Sequence, residues 1–188
     1  YFHETQEPHS NALHSHLDGV DTYLTGPLAR FSLNYIHLNP GVRSAAENAG
    51  LSAVCRNPFR SIQVRAVEVL QACEEALGII EAYQPPDLPF VEVSPRRATG
   101  YGCTEAPRGI LYHRYDIGGD GLITAAKIVP PTSQNQRRIE ADLRAFVPSQ
   151  LHLPQKELTQ RCEQLIRNYD PCISCATHFL DLTVERES

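Results

Sequence analysis

EAPRGILYHRYDIGGDGLITAAKIVPPTSQN, residues 105–135, is the stretch on which the fold turns. From Gly109 to Val129 apolar and polar residues alternate on both sides of Ile117-Gly118-Gly119-Asp120-Gly121, the pattern of two strands joined by a glycine-rich turn. A hairpin there carries Arg108 into its first strand and delivers Thr132 just after its second. Both segments then emerge at one end of the sheet, and Ser133 is placed to cap a helix starting near Gln134.

Outward from this stretch the spacing predicts helices over 42–49, 58–82, 134–147 and 155–168. The second is the longest, with Ile62, Ala66, Val69, Leu70, Cys73, Leu77 and Ile80 at helical spacing. Asn57 and Pro58 supply its cap and first turn, and Pro85-Pro86-Asp87-Leu88-Pro89 ends it before a short strand near 90–93. At the far end Leu180, Leu182 and Val184 alternate with Asp181, Thr183 and Glu185, a strand pattern. The expected class is α+β and mainly helical, with a long central helix, a β-hairpin near 109–129 and a short C-terminal strand. Residues 1–188 read as a single domain, part of a larger whole.

A net charge of -5 and an isoelectric point near 5.9, without a run of Lys or Arg, argue against nucleic acid as a partner. No stretch of about 18 apolar residues provides a membrane span, and no basic-then-apolar leader opens the sequence. Six scattered cysteines fit reduced thiols better than a disulfide framework, so a cytoplasmic protein is the expectation.

Asp170-Pro171-Cys172-Ile173-Ser174-Cys175-Ala176-Thr177-His178 sets two thiols and an imidazole on one short length of backbone. Soft thiolate sulfur selects zinc, nickel, iron or copper over magnesium or calcium. Taken alone the pair has three readings: a redox disulfide, half of a zinc site, or half of a larger cluster. The redox reading fits poorly, because the pair follows a helical pattern rather than sitting between a strand and a helix. Zinc needs a fourth ligand beyond Cys172, Cys175 and His178.

With these motifs in hand, the sequence resembles the C-terminal half of the large, catalytic subunit of nickel-iron hydrogenases. The last motif of that family reads D-P-C-x-x-C-x-x-H or -R. Glu105-Ala106-Pro107-Arg108-Gly109 and Pro130-Pro131-Thr132-Ser133-Gln134-Asn135 match two further family segments in the same order. Weaker similarity runs through Gly26-Pro27-Leu28-Ala29-Arg30 and from Asn57-Pro58 into the helix bearing Arg65 and Glu68. Leu111 to Tyr115 and the PPTSQN variant look most like the cytosolic bidirectional type that exchanges electrons with NAD(P).

The resemblance implies reversible oxidation of hydrogen at a nickel-iron centre carrying carbon monoxide and cyanide, with magnesium nearby. Cys172 would be a terminal nickel thiolate, Cys175 would bridge nickel and iron, and His178 would bind the magnesium. Arg108 would stand beside the open face of the metals, held by Asp170. Thr132 would hydrogen-bond a cyanide, with Pro107 lining the same pocket. Physically, Arg108 and Asp170 read as one unit, since a buried guanidinium without a carboxylate is costly. The implied partners are a small subunit with iron-sulfur clusters, NAD(P)-reducing electron-transfer subunits and a maturation endopeptidase.

Two departures qualify what the chain is expected to do alone. The family's second C-x-x-C and its proton-relay glutamate lie in an N-terminal half that has no counterpart here; Cys55, Cys73, Cys103 and Cys162 stand singly. The sequence opens on Tyr1 without a methionine and retains residues 179–188, which the family's endopeptidase removes. The expectation is an inactive fragment with an unprocessed tail and no assembled cluster, whose exposed apolar face drives self-association. The alternative is a non-catalytic zinc-binding or assembly module built on C-x-x-C-x-x-H.

The remaining polar and thiol residues carry more ordinary readings. Cys55, Cys73 and Cys162 are expected in core packing, Cys103 in packing first and as an adventitious ligand near the site second, and Arg65 with Glu68 as a structural ion pair three residues apart. Glu105 orients the backbone presenting Arg108, and His113 sits in the core or behind the site. His3, His9, His14 and His16 form a histidine-rich opening read as a polar stretch, with metal binding as the second reading.

Overall fold

The computed structural model describes residues 2–20, 22–172 and 182–185. Two antiparallel strands open it, β1 (Phe2–Gln6) and β2 (Leu13–Leu17), paired Phe2 to Leu17 through Gln6 to Leu13. Three helices follow: α1 (Pro27–Asn34), α2 (Pro40–Asn48) and α3 (Ser61–Ala82). A three-stranded meander comes next, β3 (Ala98–Ala106), β4 (Gly109–Ile117) and β5 (Ile123–Val129), in spatial order β3-β4-β5. Helices α4 (Pro131–Gln150) and α5 (Gln155–Asn168) complete the described fold.

The principal core lies where α1, α2 and the first half of α3 meet. Leu28, Phe31, Val42, Ala46, Leu51, Cys55, Val64 and Val67 form one buried cluster. Prolines at the first turns of α1 and α2 cost nothing there, because those N–H groups have no partner inside the helix. Ile139 on α4 and Leu158, Cys162 and Leu165 on α5 are also buried, and these two helices lie against each other. Burial raises the pKa of the Cys162 thiol.

The expected α+β architecture is present, and α5 has the bounds read from the sequence. Helix α3 begins at Ser61 after a 3-10 turn over Pro58–Arg60, in which Asn57 Oδ1 accepts the Phe59 N–H at 3.0 Å. Its buried side is a different one from that expected. Ser61, Val64 and Val67 face the core, while Ile62, Val69, Leu77 and Ile80 are exposed, and so is Cys73. Apolar residues surround this helix on several faces, so spacing could not choose among them.

The expected hairpin is the second half of the meander. Residues 90–93 form no strand, and β4 pairs on one side with β5 and on the other with β3, which is exposed for most of its length. Arg108 therefore stands in the two-residue turn Pro107-Arg108, between the paired Ala106 and Gly109, and not inside a strand. Helix α4 starts at Pro131, and Ser133 Oγ donates back to the Pro130 carbonyl at 2.9 Å instead of capping. In the tail, residues 182–185 have no regular structure, and the rest of the expected strand lies outside the described residues.

Candidate metal centre

The meander does bring the two motifs to one end. The β3–β4 turn (Pro107, Arg108) and the exit of β5 into α4 (Pro130 to Ser133) share the walls of a cavity of about 340 Å³, and Cys172 joins them. Thr132 Oγ1, buried, accepts the Cys172 backbone N–H at 3.2 Å. That bond fixes the start of the cysteine segment against the first turn of α4 and leaves the hydroxyl hydrogen to be donated elsewhere.

Arg108 Nε donates to the Asp170 carbonyl at 2.8 Å and lies 3.5 Å from Asp170 Oδ2. The expected Arg108–Asp170 unit is therefore made chiefly through the backbone. The Asp170 carboxylate has a second cation, Arg65 Nη1 at 3.5 Å. Asp170 sits at φ +50, the left-handed region, which lets the chain leave α5 and turn Cys172 toward the cavity.

Arg30 does not belong to any of the expected sites, yet it organises this one. Its guanidinium pairs with Glu68 at 2.8 and 3.0 Å and with Glu105 at 2.7 Å, and it donates to the carbonyls of Ala106 at 2.7 Å and Pro107 at 2.8 Å. Burial opposes its charge, but the Glu68 and Glu105 carboxylates outweigh that and hold its pKa above the ordinary value. Arg65 and Glu68 thus pair with Asp170 and Arg30 rather than with each other. Their cross-element partners were invisible to a reading along one helix. Glu105 meets the turn through Arg30, which bonds both its carboxylate and the Ala106 and Pro107 carbonyls.

Two glycines permit the approach of these segments. A Cβ on Gly26, at φ +100, would lie 2.5 Å from the Arg108 carbonyl oxygen, and one on Gly109, at φ +137, would lie 2.0 Å from Thr25 Oγ1. Thr25 Oγ1 accepts the Ile110 N–H at 2.8 Å, while Thr25 exchanges two bonds with the Asn135 amide, at 2.8 and 3.1 Å. Gln134 Nε2 donates to the carbonyls of Ile110 and Val129. The PPTSQN segment therefore clamps both the sheet and the loop before α1.

Among the described residues the cavity is lined by one thiol (Cys172), one guanidinium (Arg108) and two hydroxyls (Thr132, Ser133), and Glu4 and Asn11 line it as well. That donor set fits a soft metal group bearing anionic ligands: sulfur for the metal, a planar cation and a hydroxyl for the anions. Cys175 and His178 lie outside the described residues. Cys103 is exposed on β3, against the expectation of packing, since that face of the sheet has no covering layer among the described residues. His113 is half-buried on β4, with Nδ1 2.9 Å from the Tyr115 hydroxyl.

Comparison with known proteins gives the family to which the chain belongs. The chain matches the nickel-dependent hydrogenase family over residues 22–178. It is 29% identical over 184 residues to the sulfhydrogenase 1 alpha subunit of Pyrococcus furiosus, covering 97% of this chain and 42% of that protein. Over 168 residues it is 33% identical to the HoxS beta subunit of the NAD-reducing hydrogenase of Cupriavidus necator, covering 82% of this chain and 34% of that one. The crystal structure of an NAD+-reducing [NiFe]-hydrogenase in its H2-reduced state superposes with a TM-score of 0.77 at 26% identity, over 94% of this chain and 41% of the other. The chain belongs to the nickel-dependent hydrogenase family, as part of the large subunit. It spans about two-fifths of the length of the first of these relatives.

Proposed function

We propose that this chain is the C-terminal part of the catalytic subunit of a nickel-iron hydrogenase that oxidises hydrogen reversibly. The observation that carries the reading is the convergence of Pro107, Arg108, Thr132 and Cys172 on one cavity. When bound, a nickel-iron centre would supply the Lewis-acid and redox chemistry that hydrogen requires. Cys172 would hold it, together with Cys175 and the thiolates of the remaining part of the subunit. Magnesium would take His178.

The chain's own residues supply binding and fixed charge. Arg108 presents a permanent cation to the cavity, held by the Asp170 carbonyl, and suits cyanide and the charge that develops during the reaction. Thr132 restrains Cys172 through the backbone and directs its remaining hydrogen at an acceptor in the cavity. Pro107 lines the same wall beside Arg108. Because the 188 residues contain one C-x-x-C pair, turnover requires the rest of the subunit, and this chain alone is inactive.

Electrons would leave through a small subunit with iron-sulfur clusters, and the similarity to an NAD-reducing hydrogenase favours NAD(P)-linked partner subunits in the cytoplasm. The deciding experiment is Arg108→Lys in the complete enzyme. Hydrogen turnover should fall at least tenfold with nickel and iron content unchanged. Full turnover would remove Arg108 from the chemistry, and stoichiometric zinc at Cys172 in place of nickel would favour the zinc-binding module.

A further inference from the structure

A second group of ligand-type side chains lies apart from this cavity, where the β1–β2 hairpin crosses α4. His9 in the hairpin loop, His14 on β2 and Glu140 on α4 bring one donor atom each to within 4.8 Å of one another. His9 Nε2 is 3.0 Å and His14 Nε2 3.5 Å from the same oxygen, Glu140 Oε1. His14 is 2% exposed, and its buried Nε2 has no hydrogen-bond partner. An orphaned buried nitrogen is costly, and here it aims at a carboxylate and a second imidazole.

We infer that His9, His14 and Glu140 form a separate divalent-metal site of zinc type that fastens the β1–β2 hairpin to α4. Two imidazole nitrogens and one carboxylate oxygen are a zinc donor set, and three protein ligands leave a fourth position for water. In a tetrahedral site with metal–ligand bonds near 2.05 Å, donor atoms stand about 3.3 Å apart. The two nitrogen–oxygen separations bracket that value. His9 is exposed and sits in a loop, so it can close the remaining separation by turning its ring.

The surroundings favour the ligand form of His14. Burial lowers its pKa, opposed by Glu140 and Glu7 and assisted by His9 and Arg137, and the neutral ring is the one that binds metal. The position also gives the site a structural effect. Next to His14, the buried Ser15 hydroxyl lies 3.3 Å from the Ser133 hydroxyl, adjacent to Thr132. A metal fastening β2 to α4 would steady the helix start that holds Cys172. None of this depends on the hydrogenase reading.

The test is zinc binding to the full chain carrying Cys172→Ser and Cys175→Ser, which removes the thiol pair as a competing site. Calorimetry should find one zinc equivalent and a raised melting temperature. Adding His9→Ala, an exposed position that leaves the fold intact, should weaken binding at least tenfold, and adding Glu140→Gln should abolish the equivalent. No zinc uptake in the thiol-free chain would overturn the site. Uptake unaffected by His9→Ala and Glu140→Gln would place the metal elsewhere and overturn it equally.

Discussion

Gly26 and Arg108 touch backbone to backbone, so closely that a single methyl group on Gly26 would meet the Arg108 carbonyl oxygen at 2.5 Å. The approach joins the start of α1 to the β3–β4 turn, and Gly26 adopts φ +100, where a side chain is strained in any case. Gly26→Ala should destabilise the fold by about 2–4 kcal/mol, combining backbone strain with overpacking. The midpoint of urea unfolding measures it, and an unchanged midpoint would show that the contact is not maintained.

Arg30 serves two carboxylates, those of Glu68 and Glu105, and two carbonyls, those of Ala106 and Pro107, with one guanidinium. Its side chain and that of Glu68 are 20% and 24% exposed, so their bond is partly screened but not negligible. A double-mutant cycle with Arg30→Gln and Glu68→Gln should give a coupling of about 1–2 kcal/mol. Arg30→Lys should recover only part of it, because an ammonium cannot make the paired bonds to Glu68 or reach both carbonyls. Full rescue by lysine would show that charge alone matters.

Asp170 combines a left-handed backbone with a carboxylate shared by Arg108 and Arg65. Asparagine tolerates that backbone and alanine does not. Asp170→Asn should therefore cost only the ion pairs, about 1 kcal/mol at this exposure, and Asp170→Ala about 1 kcal/mol more. Equal unfolding midpoints for the two variants would mean that the backbone strain is relieved by movement of residues 170–172.

Two tyrosines predict an alkaline limit. Burial lifts the Tyr23 hydroxyl well above its ordinary pKa, with Glu4 adding to it; burial likewise lifts Tyr169, whose hydroxyl bonds to Asp142. Above about pH 10 the unfolded chain releases these protons while the folded chain keeps them. Stability should fall as pH rises past that point, by up to about 1.4 kcal/mol per pH unit for each tyrosine. Tyr23→Phe with Tyr169→Phe should flatten the limb; an unchanged slope would assign it to other groups.

Much of the site was legible because its motifs are local in sequence: the strand pattern implied that the Arg108 and Thr132 segments meet at one end, and Cys172, tied to them in the sequence only by the family resemblance, lines the same cavity. What escaped was whatever depends on partners distant in sequence. Strand β3 (Ala98–Ala106) holds two glycines and little alternation, and it is defined by pairing with β4 rather than by its own pattern. Helix α1 spans eight residues, too few for a strong period. Arg30 reads as an ordinary surface arginine until the turn at Glu105 folds over it. His14 looked like part of a polar stretch, and only the packing of β2 on α4 buries it.

Helix α3 is core at its first turns and surface along its later ones, where Leu77, Ile79, Ile80 and Tyr83 just beyond stand exposed. One continuous hydrogen-bonded rod therefore spans two stability regimes. Amide exchange along it should be graded: slowest at Val64 and Val67, where opening disrupts the cluster with Phe31 and Val42, and fastest near Ala82. Binding of any surface to the outer turns would then be recorded as a flattening of that gradient, at residues some 20 Å of helix away from the ion pair between Arg65 and Asp170.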